Sequence, residues 1–179
     1  MSKAKSPFYK ICIVGDTGVG KTTLMHQYLD HRFLANIRST IGSDFFVKHL
    51  QLPEDHQSFT LQIWDLAGQQ HFKWVRNAFY KGAKGIIYVF DLTRRDTFEN
   101  IPNWKSEVED VIGVVPNMFV GNKLDLIESI GKLVTDEETQ KIRGELNSIR
   151  YVETSAKKGF GVKDIFLNLT REIYSSCRK

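Results

Sequence analysis

Several short stretches of this chain carry residue types whose spacing suits chemistry on a nucleotide. Gly15-Asp16-Thr17-Gly18-Val19-Gly20-Lys21-Thr22 fits the pattern G-x-x-x-x-G-K-[ST]. Its glycines let backbone N–H groups turn inward around a polyphosphate, and a helix starting behind them offers its positive N-terminus to the same anion. Lys21 would reach the β- and γ-phosphates, and the Thr22 hydroxyl would ligate Mg²⁺. Thr23 completes this candidate phosphate-binding set. Further on comes Asp65-Leu66-Ala67-Gly68-Gln69. An acid at a strand end beside a phosphate loop can hold a magnesium-bound water. Gly68 permits a close backbone N–H approach to a terminal phosphate. Gln69 carries a donor and an acceptor, which suits orienting a water. Asn122-Lys123-Leu124-Asp125 and Ser155-Ala156-Lys157 suit a base. The Asp125 carboxylate can accept two parallel hydrogen bonds from the N1–H and exocyclic amine of guanine, a donor pair that adenine lacks. The Lys123 stem can lie along the base face, and the Ala156 N–H can donate to the guanine carbonyl.

Every one of these stretches directly follows an apolar run that reads as a strand. Phe8–Val14, Phe45–Leu52, Phe59–Trp64, Gly85–Phe90, Asn117–Val120 and Tyr151–Glu153 are the strand candidates. The second and third form a hairpin around Pro53, Glu54 and Asp55. Between the strands lie helical patterns: Lys21–His31; Phe98, Ile101, Trp104, Val108 and Val111 at three- and four-residue steps; Thr135–Asn147; and Val162 to Ile173. Asp96 and Thr135 are expected N-caps, the latter with Glu138 completing a capping box. Residues 36–42 read as a polar loop. Strands alternating with helices give parallel βαβ units, and the hairpin adds an antiparallel strand. The expected product is a three-layer α/β domain with a six-stranded mixed sheet and helices on both faces. Ligands of such sheets bind beyond the carboxyl ends of the strands.

Composition narrows the remaining classes. A chain of 179 residues with 41% hydrophobic and 26% charged residues reads as one ordinary globular domain, not as a disordered one. Two cysteines, Cys12 and Cys177, exclude a disulfide scaffold and a cysteine-based zinc site, and suggest a reducing, cytoplasmic setting. The net charge of +4 has its local excess at the ends, where solvated terminal charge is the expected reading, without nucleic-acid binding. No run approaches the ~18 apolar residues of a membrane span. Residues 1–7 read as a loose basic arm, 8–175 as the domain and 176–179 as a tail.

With all these motifs in order, the sequence resembles the Ras-like small GTPases, and most closely the Rab branch, over Phe8 to Ile173. Ile41-Gly42-Ser43-Asp44-Phe45, Leu61-Gln62-Ile63-Trp64-Asp65, the segment Gly82–Asp91 and Glu153-Thr154-Ser155-Ala156-Lys157 carry the Rab-like likeness. The resemblance implies a P-loop fold that binds GTP or GDP with Mg²⁺. It implies that Phe33 stacks edge-on against guanine and that Thr40 is the switch I threonine, meeting Mg²⁺ and the γ-phosphate in the GTP state. Switch II would run from Asp65 through a Trp74–Tyr80 helix. Phe45, Trp64 and Phe79 sit where Rab proteins carry an aromatic triad read by effectors, with ordinary core packing as the rival reading. An exchange factor, a GTPase-activating protein and a monomeric state are also implied. The departures are Gln70 for the usual Glu, Leu66 for the usual Thr, Thr17 in the phosphate loop, and a longer hairpin. The chain ends Ser176-Cys177-Arg178-Lys179, neither a C-a-a-X box nor paired cysteines. Peripheral attachment to the cytoplasmic face of a membrane would require a lipidated tail.

Two functions of different class follow. One is a GTP-hydrolysing switch for vesicle or membrane trafficking, with Lys21, Thr40, Gly68 and Gln69 in the catalytic set. The other is a nucleotide-binding adaptor that hardly hydrolyses. The water-positioning set is intact, which favours the switch. No arginine finger is evident, since Arg32 and Arg38 are placed no better than any surface arginine. Slow intrinsic turnover is therefore expected.

Overall fold

A computed structural model describes residues 7–33, 39–53 and 57–178. Most of the expected N-terminal arm, Arg38 with part of its loop, the hairpin residues Glu54 and Asp55, and Lys179 lie outside the described residues. The chain order is β1 (Phe8–Val14), α1 (Lys21–Asp30), β2 (Ser43–Gln51), β3 (Ser58–Leu66), α2 (Lys73–Tyr80), β4 (Gly85–Asp91), α3 (Arg95–Glu99) and α4 (Ile101–Ile112). Then come β5 (Asn117–Asn122), α5 (Ile127–Ile130), α6 (Asp136–Leu146), β6 (Arg150–Glu153) and α7 (Val162–Cys177). Single 3₁₀ turns precede α2 at Gln70–Phe72 and α5 at Leu124–Leu126.

The six strands form one sheet in the order β2-β3-β1-β4-β5-β6. The β2–β3 hairpin is antiparallel and the other pairings are parallel, as expected for βαβ units. Strand residues alternate between two cores. Ile11 and Ile13 of β1, Ile87 and Val89 of β4, and Met118 and Val120 of β5 pack under α1 and α7. Cys12 and Val14, Tyr88 and Phe90, and Phe119 face α2, α4 and α6 on the other side. Central strands covered on both faces are apolar throughout, which is why their sequences read as continuous runs.

Two local expectations change. The apolar stripe from Phe98 to Val111 is not one helix but α3 and α4, joined at Asn100. Pro102 is the physical reason: it has no N–H for the Phe98 carbonyl, and its ring crowds that carbonyl. It is accommodated instead in the first turn of α4. Asp96 is not an N-cap, because α3 starts one residue earlier with Arg94 in the capping position, leaving Asp96 in the first turn. The Thr135 capping box forms as expected: Glu138 N–H donates to Thr135 Oγ1 at 3.2 Å and Thr135 N–H to Glu138 Oε2 at 2.8 Å.

Leu169 of α7 is fully buried in the core beneath β4. Leu169→Ala leaves a cavity there and should lower unfolding stability by about 2–5 kcal/mol, read from urea denaturation midpoints.

Candidate functional site

Because β3, β1, β4, β5 and β6 are mutually parallel, their carboxyl ends share one edge of the sheet. A cleft of about 370 Å³ opens along that edge. It is lined by Thr17, Gly18, Gly20, Lys21, Thr22 and Thr23 from the first loop and helix, by Phe33, Ser39 and Thr40, and by Gly68. Asn122, Lys123, Asp125, Leu126, Ala156 and Lys157 line its other end. Residues far apart in sequence thus meet in one cavity, at the place where strand polarity requires it.

At one end, the loop after β1 wraps the start of α1. The helix has no acidic residue in its first turn, so its positive end is uncompensated. Lys21 is buried, and its ammonium donates to the carbonyls of Gly15 at 2.7 Å and Asp16 at 2.9 Å. Burial lowers its pKa to about 8, against the pull of Asp65 and Asp16. Gly20 adopts φ 98°, and a Cβ there would lie 2.3 Å from Asn122 Nδ2, so both backbone and space demand glycine. Gly68 approaches the loop just as closely, since its Cβ would sit 2.4 Å from the Thr17 nitrogen.

Beside Lys21, three oxygen-bearing side chains converge. Thr22 Oγ1 donates to Asp65 Oδ2, Thr40 Oγ1 donates to the same oxygen at 3.2 Å, and the two hydroxyls are 3.1 Å apart. Asp65 is fully buried, and its Oδ1 has no hydrogen-bond partner among the described residues. Burial pushes the carboxyl above its ordinary value, more than Lys21 and the two threonines pull it down. An orphaned buried carboxylate oxygen beside two hydroxyls fits a hard divalent cation that keeps waters and takes further oxygens from phosphates.

At the other end, Asn122 joins the loops. Its Nδ2 donates to the Val19 carbonyl at 2.9 Å, and its Oδ1 accepts from Thr154 Oγ1 and Ala156 N–H, each at 3.1 Å. The Ala156 N–H is therefore bound to Asn122, which departs from the expectation that it serves a base carbonyl. Ser155 Oγ donates to Asp125 Oδ1 at 2.6 Å, fixing the carboxylate at the cleft wall. Lys157 Nζ lies 5.9 Å from the centre of the half-exposed Phe33 ring.

Some expected residues stand elsewhere. Asp16 is not a lining residue: its Oδ1 points to α4, accepting from Asn100 Nδ2 at 2.5 Å and Trp104 Nε1 at 2.8 Å. Gly15, Val19, Asp65 and Ser155 support the cleft from behind. Gln69 is beside the cleft but is not among its lining residues. Phe45, Trp64 and Phe79 form a continuous ring cluster, with Trp64 5.0 Å from each partner ring. Trp64 and Phe79 pack against the core, as the packing reading expects, while Phe45 stays more than half exposed.

Sequence reading missed Asp91, at the end of β4. This buried carboxylate holds Lys123 Nζ at 2.8 Å and Arg94 Nε at 3.3 Å, and Arg94 Nη2 in turn donates to the Thr17 carbonyl at 2.8 Å. Lys123 has φ 69°, a left-handed backbone unusual outside glycine, and the Asp91 pair anchors its side chain there. The rule of looking after each apolar strand would have found Asp91. Burial raises its pKa, but Lys123 and Thr93 together outweigh that and hold it below the usual value. A depressed carboxylate contributes stability above its unfolded pKa, ~4, and loses it as pH falls through the lower folded value. Asp91→Asn should therefore unfold at lower urea than wild type at neutral pH, with a gap that narrows only below about pH 4.

The Ras family profile matches residues 10–175. Ras-related protein RABG3b of Arabidopsis thaliana is 38% identical over 177 residues, covering 96% of this chain and 86% of that protein. Ras-related protein Rab-8 of Diplobatis ommata is 37% identical over 180 residues, covering 100% and 83%. Ras-related protein Rab7 of Prunus armeniaca is 38% identical over 173 residues, covering 93% and 82%. With this similarity spanning nearly the whole chain, and with a six-stranded mixed sheet carrying its motifs at the strand ends, the protein belongs to the Ras family and is a Rab-like GTPase.

Proposed function

We propose that the cleft binds GTP and GDP, with the phosphates over the 15–22 loop and the guanine between Lys123, Asp125, Lys157 and Phe33. One observation carries this reading: phosphate-loop and base-reading residues line a single cavity. As a Rab-like GTPase the protein acts as a switch in membrane trafficking, and the adaptor alternative is not favoured. Thr22, Thr40 and, through water, Asp65 would hold Mg²⁺, which when bound neutralises charge on the β- and γ-phosphates.

In the proposed reaction a water attacks the γ-phosphorus in line, and the bond to the β–γ bridging oxygen breaks. Lys21 and the loop amides stabilise charge on the phosphoryl oxygens, Gly68 N–H meets the γ-phosphate, and Gln69 turns in to orient the water. With no arginine finger evident in the sequence of switch I, slow turnover is expected until a partner donates one, an effect of about 10³–10⁵-fold. Switches I and II close on the γ-phosphate and open after hydrolysis. Effectors read the closed state through both switches and the Phe45–Trp64–Phe79 cluster, while an exchange factor reopens the cleft. In this reading the protein acts as a monomer of the cytoplasm and meets membranes peripherally only if its native tail is lipidated. Among the described residues no helix is long and apolar enough to cross a membrane.

The base assignment has a direct test. Asp125→Asn replaces an acceptor with a donor that suits the 2-carbonyl of xanthine. Preference should move from GTP to XTP in competition binding, and retained GTP preference removes Asp125 from the base site. The chemical step has another. Gln69→Leu should keep GDP affinity within a few-fold and slow single-turnover hydrolysis by about tenfold or more, ~1.4 kcal/mol of transition-state stabilisation per tenfold. An unchanged rate removes Gln69 from the reaction.

A further inference from the structure

Arg76, on α2, is almost fully buried, and all of its guanidinium nitrogens are engaged. Nε and Nη2 grip Glu107 of α4 in a two-pronged pair, at 2.6 Å to Oε1 and 2.8 Å to Oε2. Glu107 Oε1 also accepts from Tyr80 Oη at 2.7 Å. The remaining nitrogen, Nη1, reaches the carbonyls of Ala67 at 2.9 Å and Gln69 at 2.7 Å. These are the two carbonyls on either side of Gly68. The guanidinium also lies 4.4 Å from the Trp104 ring, whose indole N–H is bonded to Asp16 of the phosphate loop. Burial would lower the Arg76 pKa, but Glu107 and Tyr80 outweigh it and keep the group charged.

A buried ion pair is costly to assemble and is weak support for stability in itself. This one has a geometric consequence. No peptide bond among the described residues is cis, so the carbonyl of Ala67 and the N–H of Gly68 point in opposite directions across one rigid plane. Holding the carbonyl on Arg76 turns the N–H to the other side, and Gly68 lines the cleft. Holding the Gln69 carbonyl fixes the Gln69–Gln70 peptide as well, so the backbone is held on both sides of the point from which the Gln69 side chain departs. The same face of α4 holds the phosphate loop through Asp16, so both segments take their position from one helix.

We infer that Arg76, clamped by Glu107 and Tyr80, is a positioning residue for GTP hydrolysis, aiming the Gly68 N–H and the Gln69 side chain at the γ-phosphate. The inference rests on the proposed roles of Gly68 and Gln69. Lysine cannot replace Arg76, because a single ammonium cannot span the Glu107 carboxylate and two carbonyls as a planar fork does.

The test uses two variants of the full chain. Arg76→Met/Tyr80→Phe/Glu107→Leu exchanges the whole buried polar group for apolar side chains, a change that often preserves folding. Arg76→Lys keeps the charge opposite Glu107. Each is loaded with nucleotide and Mg²⁺, and GDP affinity, affinity for a non-hydrolysable GTP analogue and single-turnover hydrolysis are measured. We expect GDP affinity within about twofold of wild type, weaker analogue binding, and hydrolysis slowed about tenfold or more. Combined with Gln69→Leu, either variant should slow hydrolysis further by less than it does alone, since the part that acts through Gln69 is already removed and only the part that acts through Gly68 is left. Wild-type hydrolysis in either folded variant overturns the inference. So does equal loss of GDP and analogue affinity, which marks a general structural role, and so does a full second slowing in the Gln69→Leu background. Gln69→Leu hydrolysing at the wild-type rate overturns the proposed role of Gln69 instead, and the ratio of GDP to analogue affinity then still decides whether Arg76 acts through Gly68.

Discussion

Asn122, at the end of β5, shares its side-chain amide between two loops that leave two other strands. Its nitrogen holds the Val19 carbonyl of the loop after β1, and its oxygen holds Thr154 and Ala156 after β6, while Asn122 itself ends β5. The amide is buried, so each of these bonds forms in a low dielectric where an unmade one is costly. Gly20 lacks a Cβ at the very place where that nitrogen must pass. The phosphate end and the base end of the cleft are thereby held at a fixed separation, which is what a ligand with both a polyphosphate and a base requires.

Charge is distributed around the joint in a consistent way. Lys21, Asp65, Asp91, Arg76 and Glu107 are all buried, and none stands without an opposite charge nearby or a set of hydrogen bonds. Desolvation raises Asp65 and lowers Lys21, so each is held in its charged form less firmly than usual. With the proposed ligands bound, both would regain favourable electrostatics, the carboxylate from the cation and the ammonium from the phosphates. Asp91 and Glu107 are satisfied by the protein itself, and correspondingly act on neighbouring residues rather than on a ligand.

The face formed by β2, β3 and α2 is built differently. Ile41 and Trp74 are 84% and 86% exposed, and Phe45 and Val47 about half exposed. Such an apolar surface, next to the proposed switch segments, is physically suited to a partner that binds one state better than the other. The rings of Phe45, Trp64 and Phe79 stack continuously from this surface to the core, so a contact made outside is felt by side chains that pack inside.

How much of this was legible in the sequence depends on whether the information is local. The strands were legible because doubly covered strands are apolar throughout, and the phosphate loop and base motifs because each is one contiguous run with fixed backbone demands. The Thr135 capping box is likewise complete within four residues. Pro102 breaks the helix at Asn100 inside an apolar stripe whose periodicity runs straight through it. The partners of Asp16, Ala156, Asp91 and Arg76 were not legible. Asp16 meets Trp104 and Arg76 meets Glu107 only because α2 and α4 pack on one side of the sheet, next to the loop that follows β1. Spacing along the chain encodes periodicity and local turns, while the direction in which a buried polar side chain finds its partner is set by which elements pack against it. The sequence alone determined the family, the sheet and the chemistry at the strand ends; only the tertiary structure decided which groups face the cleft and which hold it in shape.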